Sequence, residues 1–203
     1  MIARLGVFGG TFDPIHVGHL VLAEQAREQL QLDEVLFVPA AAPPHKLGRE
    51  MSAPRMRQEM VELAVAGHPQ FAVTDLELRR TGPSYTVDTL RTLRELHPQA
   101  SLHLLLGGDS LVDFPTWRDP AQILELARLA VMDRESATSQ SAASTQNHMV
   151  ADRLDRILAP MIAVSSSDLR RRVREGRSIR FLVPAAIDVY IRVNSLYTKE
   201  HPE

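Results

Sequence analysis

Apolar positions along the chain fall into short continuous runs that alternate with longer stretches of helical spacing. Residues 3–8 form a compact apolar run ending at Gly9-Gly10, which predicts a buried strand. Over 17–30, Leu20, Leu22, Ala23, Ala26 and Leu30 recur at helical spacing while Glu24, Arg27 and Glu28 take the other face. Residues 35–38 predict a second strand, stopped by Pro39, and the Pro-rich loop PAAAPPHKLGRE follows. A helix is expected over 55–66, with Met56, Met60, Leu63 and Ala64 on one side. Short strands are expected at 71–73 and 76–78. The next helix spans 86–96 with Val87, Leu90 and Leu93 inward, and strands follow at 102–106 and 129–132. Further on, 148–159 reads as a short amphipathic helix and 161–164 as a last strand. Ser165-Ser166-Ser167 precede a helix through Glu175, closed by Gly176. Pro184 opens a final helix over 185–193.

Strand and helix alternate through the first two thirds, which predicts an α/β architecture: a doubly wound, mostly parallel, Rossmann-like sheet with helices on both faces. The expected core order is 3-2-1-4-5, with a small C-terminal helical portion. In that order strands one and four flank the switch point, where ligands bind. Residues 136–147, SATSQSAASTQN, carry no charge and no aliphatic side chain beyond Ala, and read as a mobile loop insert. No internal repeat or linker is visible, so residues 1–203 are expected to form one domain.

Composition narrows the classes. The formal net charge is -2, so no basic excess marks a nucleic-acid surface. The chain has no cysteine, which excludes disulfides, thiolate metal sites and a Cys nucleophile. No apolar run reaches the roughly 18 residues of a membrane span, and the N-terminus lacks the pattern of a signal peptide. A cytoplasmic protein is expected. Among 23 basic residues only Lys46 and Lys199 are lysine.

The chemistry concentrates where the first strand ends, at GGTFDPIHVGH (residues 9–19). Two glycines at a strand end let the backbone pass close to a ligand. The helix that follows offers unpaired N–H groups and a partial positive charge, which suits phosphate. His16 and His19 are spaced i, i+3 and share one face of its first turn. Gly18 between them leaves a flat spot for a nucleobase or ribose, and Pro14 fixes the entry.

This segment resembles the signature of the HxGH nucleotidyltransferase superfamily. PPHK at 43–46, SYTVDTL at 84–90, GGDSLVDFPTW at 107–117 and VSSSDLR at 164–170 are similar, in order, to the bacterial nicotinate-nucleotide adenylyltransferases. The resemblance implies AMP transfer from ATP to nicotinate mononucleotide, giving nicotinate adenine dinucleotide and pyrophosphate. That acceptor already carries an ionised phosphate, so direct in-line attack needs neither a general base nor a covalent intermediate. Alignment and charge neutralisation must supply the catalysis.

The resemblance assigns His16, His19, Lys46 and Arg170 to catalysis. It places ATP on Gly9, Gly10, Thr11, Phe12, His16, Gly18, His19, Gly107, Asp109, Ser165, Ser166, Ser167 and Arg170. The acceptor falls to Thr11, His45, Lys46, Ser84, Tyr85, Thr86, Asp109, Trp117 and Arg118. Asp109 either accepts from a ribose hydroxyl or caps the short helix after it. Trp117 either stacks on the pyridine ring or belongs to the core. Backbone N–H groups at Tyr85 and Thr86, at a helix start, suit the nicotinate carboxylate. At Arg118, where the family often has an aromatic or His, either the N–H or the guanidinium contributes. Arg134 stands in Arg-Glu-Ser where the family has Arg-Pro-Gly, and is given no role. Mg²⁺ is expected to arrive on the ATP phosphates with no protein ligand assigned. The partners implied are these small molecules, with no nucleic acid and no membrane, and with room for a homo-oligomer.

Two other adenylyl-binding readings compete. Pantetheine-phosphate adenylyltransferase shares the first motif but lacks SYTxDTL and GGDS…TW, and a non-catalytic nucleotide sensor would keep the site for binding alone. A class I aminoacyl-tRNA synthetase fragment fails on length, charge and the missing Lys-Met-Ser-Lys-Ser loop.

Overall fold

The computed structural model describes residues 2–44, 48, 50–134, 150 and 152–198, with positions 109, 133 and 134 described by their backbone. Its described strands are β1 Arg4–Gly10, β2 Glu34–Pro39, β3 Phe71–Val73, β4 Ser101–Leu106, β5 Arg128–Arg134 and β6 Leu154–Ala159. They form one sheet in the order β3-β2-β1-β4-β5-β6, and every neighbouring pair is parallel. The expected 3-2-1-4-5 core is present, extended by β6.

The period of two along each strand sorts its side chains between two cores. Phe8, Val35, Phe37, Leu105 and Ala130 face one side. There they meet α1 Val17–Gln29, α2 Pro54–Val65, α6 Ser166–Arg174 and α7 Ala185–Val193. Leu5, Val7, Leu36, Val38, Leu104, Leu106, Leu129 and Val131 face the other. They pack on α3 Thr86–Leu96 and α5 Pro120–Leu126. Both faces are covered, which explains why the strands read as continuous apolar runs rather than alternating ones. After β4 the chain makes α4 Gly108–Asp113 and a 3₁₀ turn, Phe114–Thr116, before α5.

Four expectations need correction. Residues 76–79 form turns, not a strand, since β3 ends at Val73 and Thr74 N–H bonds the Phe37 carbonyl. The segment expected to be a helix over 148–159 contains β6, because β5 offers an open ladder and six residue pairs form along it. Residues 161–164 make no ladder; Val164 N–H turns back to the Ile162 carbonyl at 2.9 Å. The buried face of α2 is Arg57, Met60, Val61 and Val65, whereas Leu63 is 42% exposed. The helices at 86–96 and 185–193 have the expected bounds, and Gly176 takes the positive φ of 68° that suits a residue just past a helix. The 136–147 insert lies outside the described residues.

Candidate active site

The chain leaves β1 for β2 and β3 on one side, then returns to β4 on the other. The carboxyl ends of β1 and β4 therefore part into a crevice. A cleft of about 1080 Å³ occupies it. Gly9 and Gly107 lie at its floor, and a Cβ built on either would meet no other atom within 4 Å. A ligand can approach the backbone there.

The other two glycines of the first motif serve neighbours instead. A Cβ on Gly10 would lie 2.7 Å from the Phe12 ring, which folds back under it because Phe12 adopts φ 49°. A Cβ on Gly18 would stand 3.1 Å from Nδ1 of His16. The flat spot expected at Gly18 is thus partly filled by the imidazole beside it.

His16 is the N-cap of α1, and His19 sits one turn on. Their rings stack with centroids 3.7 Å apart. The His16 backbone N–H donates to Nδ1 of His19 at 3.2 Å, so a neutral His19 carries its hydrogen on Nε2, as a donor. His16 is buried, with Nδ1 partnerless inside the protein. Burial lowers its pKa to about 4, which leaves the ring neutral at pH 7. Both histidines line the cleft, with Thr11 and Phe12.

The opposite wall is the start of α3. Ser84, Tyr85 and Thr86 line the cleft, and the first N–H groups of a helix have no partner within it. The Ser84 hydroxyl accepts from the N–H groups of Ala41 and Ala42, at 3.1 and 3.2 Å. It thereby ties the loop after β2 to α3. The Arg118 guanidinium lies 4.6 Å over the Tyr85 ring, placing a cation near that helix start. Trp117 is half-buried, lines the cleft and packs on Phe114 at 5.7 Å.

The α6 start forms a third side. Ser165 caps the helix by accepting from Asp168 N–H at 3.2 Å and also lines the cleft. Ser166 and Ser167 already belong to the helix, and neither they nor Arg170 line the cleft. The Ser166 hydroxyl donates to the Pro14 carbonyl at 2.9 Å, and Arg170 Nη1 to the Asp13 carbonyl at 2.7 Å. They hold the first motif from behind. Asp109 falls inside α4, whose N-cap is Gly107, so it does not cap that helix. His45 and Lys46 lie outside the described residues.

Several contributors had no expected role. Met161, Ile162 and Ala163 line the cleft as irregular chain. Glu77 is a buried lining carboxylate that accepts from the Thr89 hydroxyl at 2.6 Å. Arg57 is fully buried and donates to the carbonyls of Thr11, Ala40, Ala41 and Ser52 at 2.6–3.2 Å. A charged residue at an inward helical position, in register with Met60 and Val61, was the available signal for Arg57.

Comparison with known proteins agrees with this geometry. The family model described as cytidylyltransferase-like matches residues 7–172. A relative from Thermomicrobium roseum, named probable nicotinate-nucleotide adenylyltransferase, is 46% identical over 97% of this chain and 92% of its own. One of the same name from Thermus thermophilus is 45% identical over 96% and 99%. The solved Plasmodium falciparum nicotinic acid mononucleotide adenylyltransferase complexed with NaAD superposes with a TM-score of 0.79 at 19% identity, covering 96% and 97% of the two chains. That likeness concerns the fold. The motifs, the switch-point cleft and near full-length relatives agree: the chain belongs to the cytidylyltransferase-like family of nucleotidyltransferases, among the nicotinate-nucleotide adenylyltransferases.

Proposed function

We propose that this enzyme transfers AMP from ATP to nicotinate mononucleotide, releasing pyrophosphate and nicotinate adenine dinucleotide. The observation that carries the reading is the single cleft into which three helix starts converge, roomy for one small ligand by the usual range of about 300–1,000 Å³. The cleft draws on residues from Phe8 to Asp168, in keeping with one catalytic unit across 1–203.

An oxygen of the acceptor phosphate attacks the α-phosphorus of ATP. The new P–O bond forms as the bond to the bridging α–β oxygen breaks, and pyrophosphate departs with that electron pair. The His16 and His19 rings line the cleft where phosphate oxygens would lie, with Thr11 and the backbone at Gly9 and Gly10 beside them. Arg170 and Lys46 supply positive charge, Arg170 from behind the motif loop. The uncapped N–H groups at Tyr85 and Thr86, with the Arg118 cation near them, suit the nicotinate carboxylate. Trp117 offers a ring face for the pyridine. Gly107, Asp109 and the N-cap Ser165 complete the ATP side, with Ser166 and Ser167 supporting it from within the helix, and His45 and Ser84 the acceptor side.

Mg²⁺ would arrive on the triphosphate, since it keeps waters and phosphate oxygens as ligands. Bound there, the ion would offset charge on the triphosphate.

Pyrophosphate release with ATP and a panel of nicotinate mononucleotide, nicotinamide mononucleotide and phosphopantetheine tests the reading. Nicotinate mononucleotide should be preferred. Preference for phosphopantetheine, or ATP binding without turnover on any acceptor, would overturn it.

A further inference from the structure

The chain's last described segment reaches back to its first motif. Asp13, two residues after Thr11, is buried and does not line the cleft. Oδ1 accepts from the Tyr197 hydroxyl at 2.6 Å and Oδ2 from the Ser52 N–H at 3.3 Å. The buried Arg57 is a favourable charge neighbour of that carboxylate. Its guanidinium also bonds the carbonyls of Thr11 and Ala40. Arg170 holds the Asp13 carbonyl itself. Burial beside Asp13 keeps the Tyr197 phenol protonated far above its ordinary range, so its hydroxyl stays a donor.

We infer that Tyr197 is a positioning residue for adenylyl transfer, acting through Asp13 on the loop that carries Thr11 and leads to His16. The inference rests on the nucleotidyltransferase reading of the cleft. Thr11 and Ala40 both line the cleft, and both have their carbonyls on Arg57, so one buried network sets two walls of the site. Its outermost bond comes from a residue 184 positions away that does not line the cleft. Loss of that bond would leave a buried carboxylate oxygen unpaired and let the loop shift. Misplacement of about 1 Å can cost a hundredfold in rate, and partial loosening correspondingly less.

A matched control exists. The Tyr190 hydroxyl donates to Oε2 of Glu59, also at 2.6 Å, joining α7 to α2 away from the cleft. Tyr197→Phe and Tyr190→Phe each delete one tyrosine–carboxylate bond. Steady-state kinetics, at a temperature where both variants are folded, should show kcat lowered about tenfold for Tyr197→Phe, with each KM within about threefold. Amide hydrogen exchange over residues 10–13 should rise in the same variant. Tyr190→Phe should lose thermal stability only. Normal kcat for Tyr197→Phe overturns the inference, even with faster exchange. If Tyr197→Phe does not fold, Asp13→Asn disturbs the same network and must show the same kcat loss. Failure of the functional reading shows differently, as no turnover of nicotinate mononucleotide by the unaltered enzyme; unchanged exchange over 10–13 would then overturn the inference by itself.

Discussion

The two histidines of the first motif divide their work by which nitrogen is occupied. His19 has Nδ1 committed to the His16 backbone, which puts the hydrogen of a neutral ring on Nε2. His16 contributes a neutral ring whose Nδ1 has no protein partner. Spacing i, i+3 was legible in the sequence, but not which nitrogen would accept the backbone N–H, since that depends on where the N-cap falls. Removing a donor that acts only in the transition state costs roughly 10²–10³-fold in rate. His19→Ala should therefore lower kcat by about that factor, with a circular dichroism spectrum like that of the unaltered protein. A folded variant with near-normal kcat would take His19 off the catalytic set. Gly10 and Gly18 show the converse limit. Both were legible as important, yet the groups that need their missing Cβ atoms are the Phe12 and His16 rings.

Among the elements, β6 shows most clearly how context overrides local pattern. Its side chains alternate at the end, with Ile157 and Ala159 buried and Leu158 exposed. Its inner edge pairs with β5, and the outer edge is partly closed by a side chain. Gln29, at the end of α1, donates to the Leu158 carbonyl at 2.7 Å and accepts from the Leu158 N–H at 3.0 Å. The amide thus replaces one residue of a neighbouring strand and blunts an exposed edge. Gln29→Ala should cost about 1 kcal/mol in chemical denaturation and speed hydrogen exchange at the Leu158 amide, leaving the core of β1 unchanged. Unaltered exchange at Leu158 would dismiss this role. α3 and α7 were read with correct bounds because each is amphipathic over its whole length and opens at a clear signal, at Thr86 and after Pro184.

For the whole molecule, two buried histidines make stability fall in acid. His16 lies by the carboxyl end of β1, and His103 lies in β4 toward the strand starts, beside Asp155 and between Ser101 and the β5 origin. Burial lowers the pKa of both. Each then binds its proton less readily folded than unfolded. The stabilisation is complete above the unfolded value of about 6.5, and is lost as pH falls toward the folded pKa, which is about 4 for His16. Denaturant midpoints should decline from pH 7 to pH 4, and His16→Gln should flatten that decline. An equal slope in the variant would show that His16 takes no part. The sequence alone determined the parallel α/β order, because apolar periodicity and strand-end glycines are local properties, and its motifs, through their resemblance to a known family, grouped Gly9, His16, His19, Tyr85 and Trp117 at one site. The tertiary structure decided what those residues rest on: the Arg57 and Tyr197 bonds behind the first motif, the irregular wall at 161–163 and the strand at Leu154–Ala159. Buried charges and edge strands choose partners from far along the chain, and only the closed fold brings those partners within hydrogen-bonding distance.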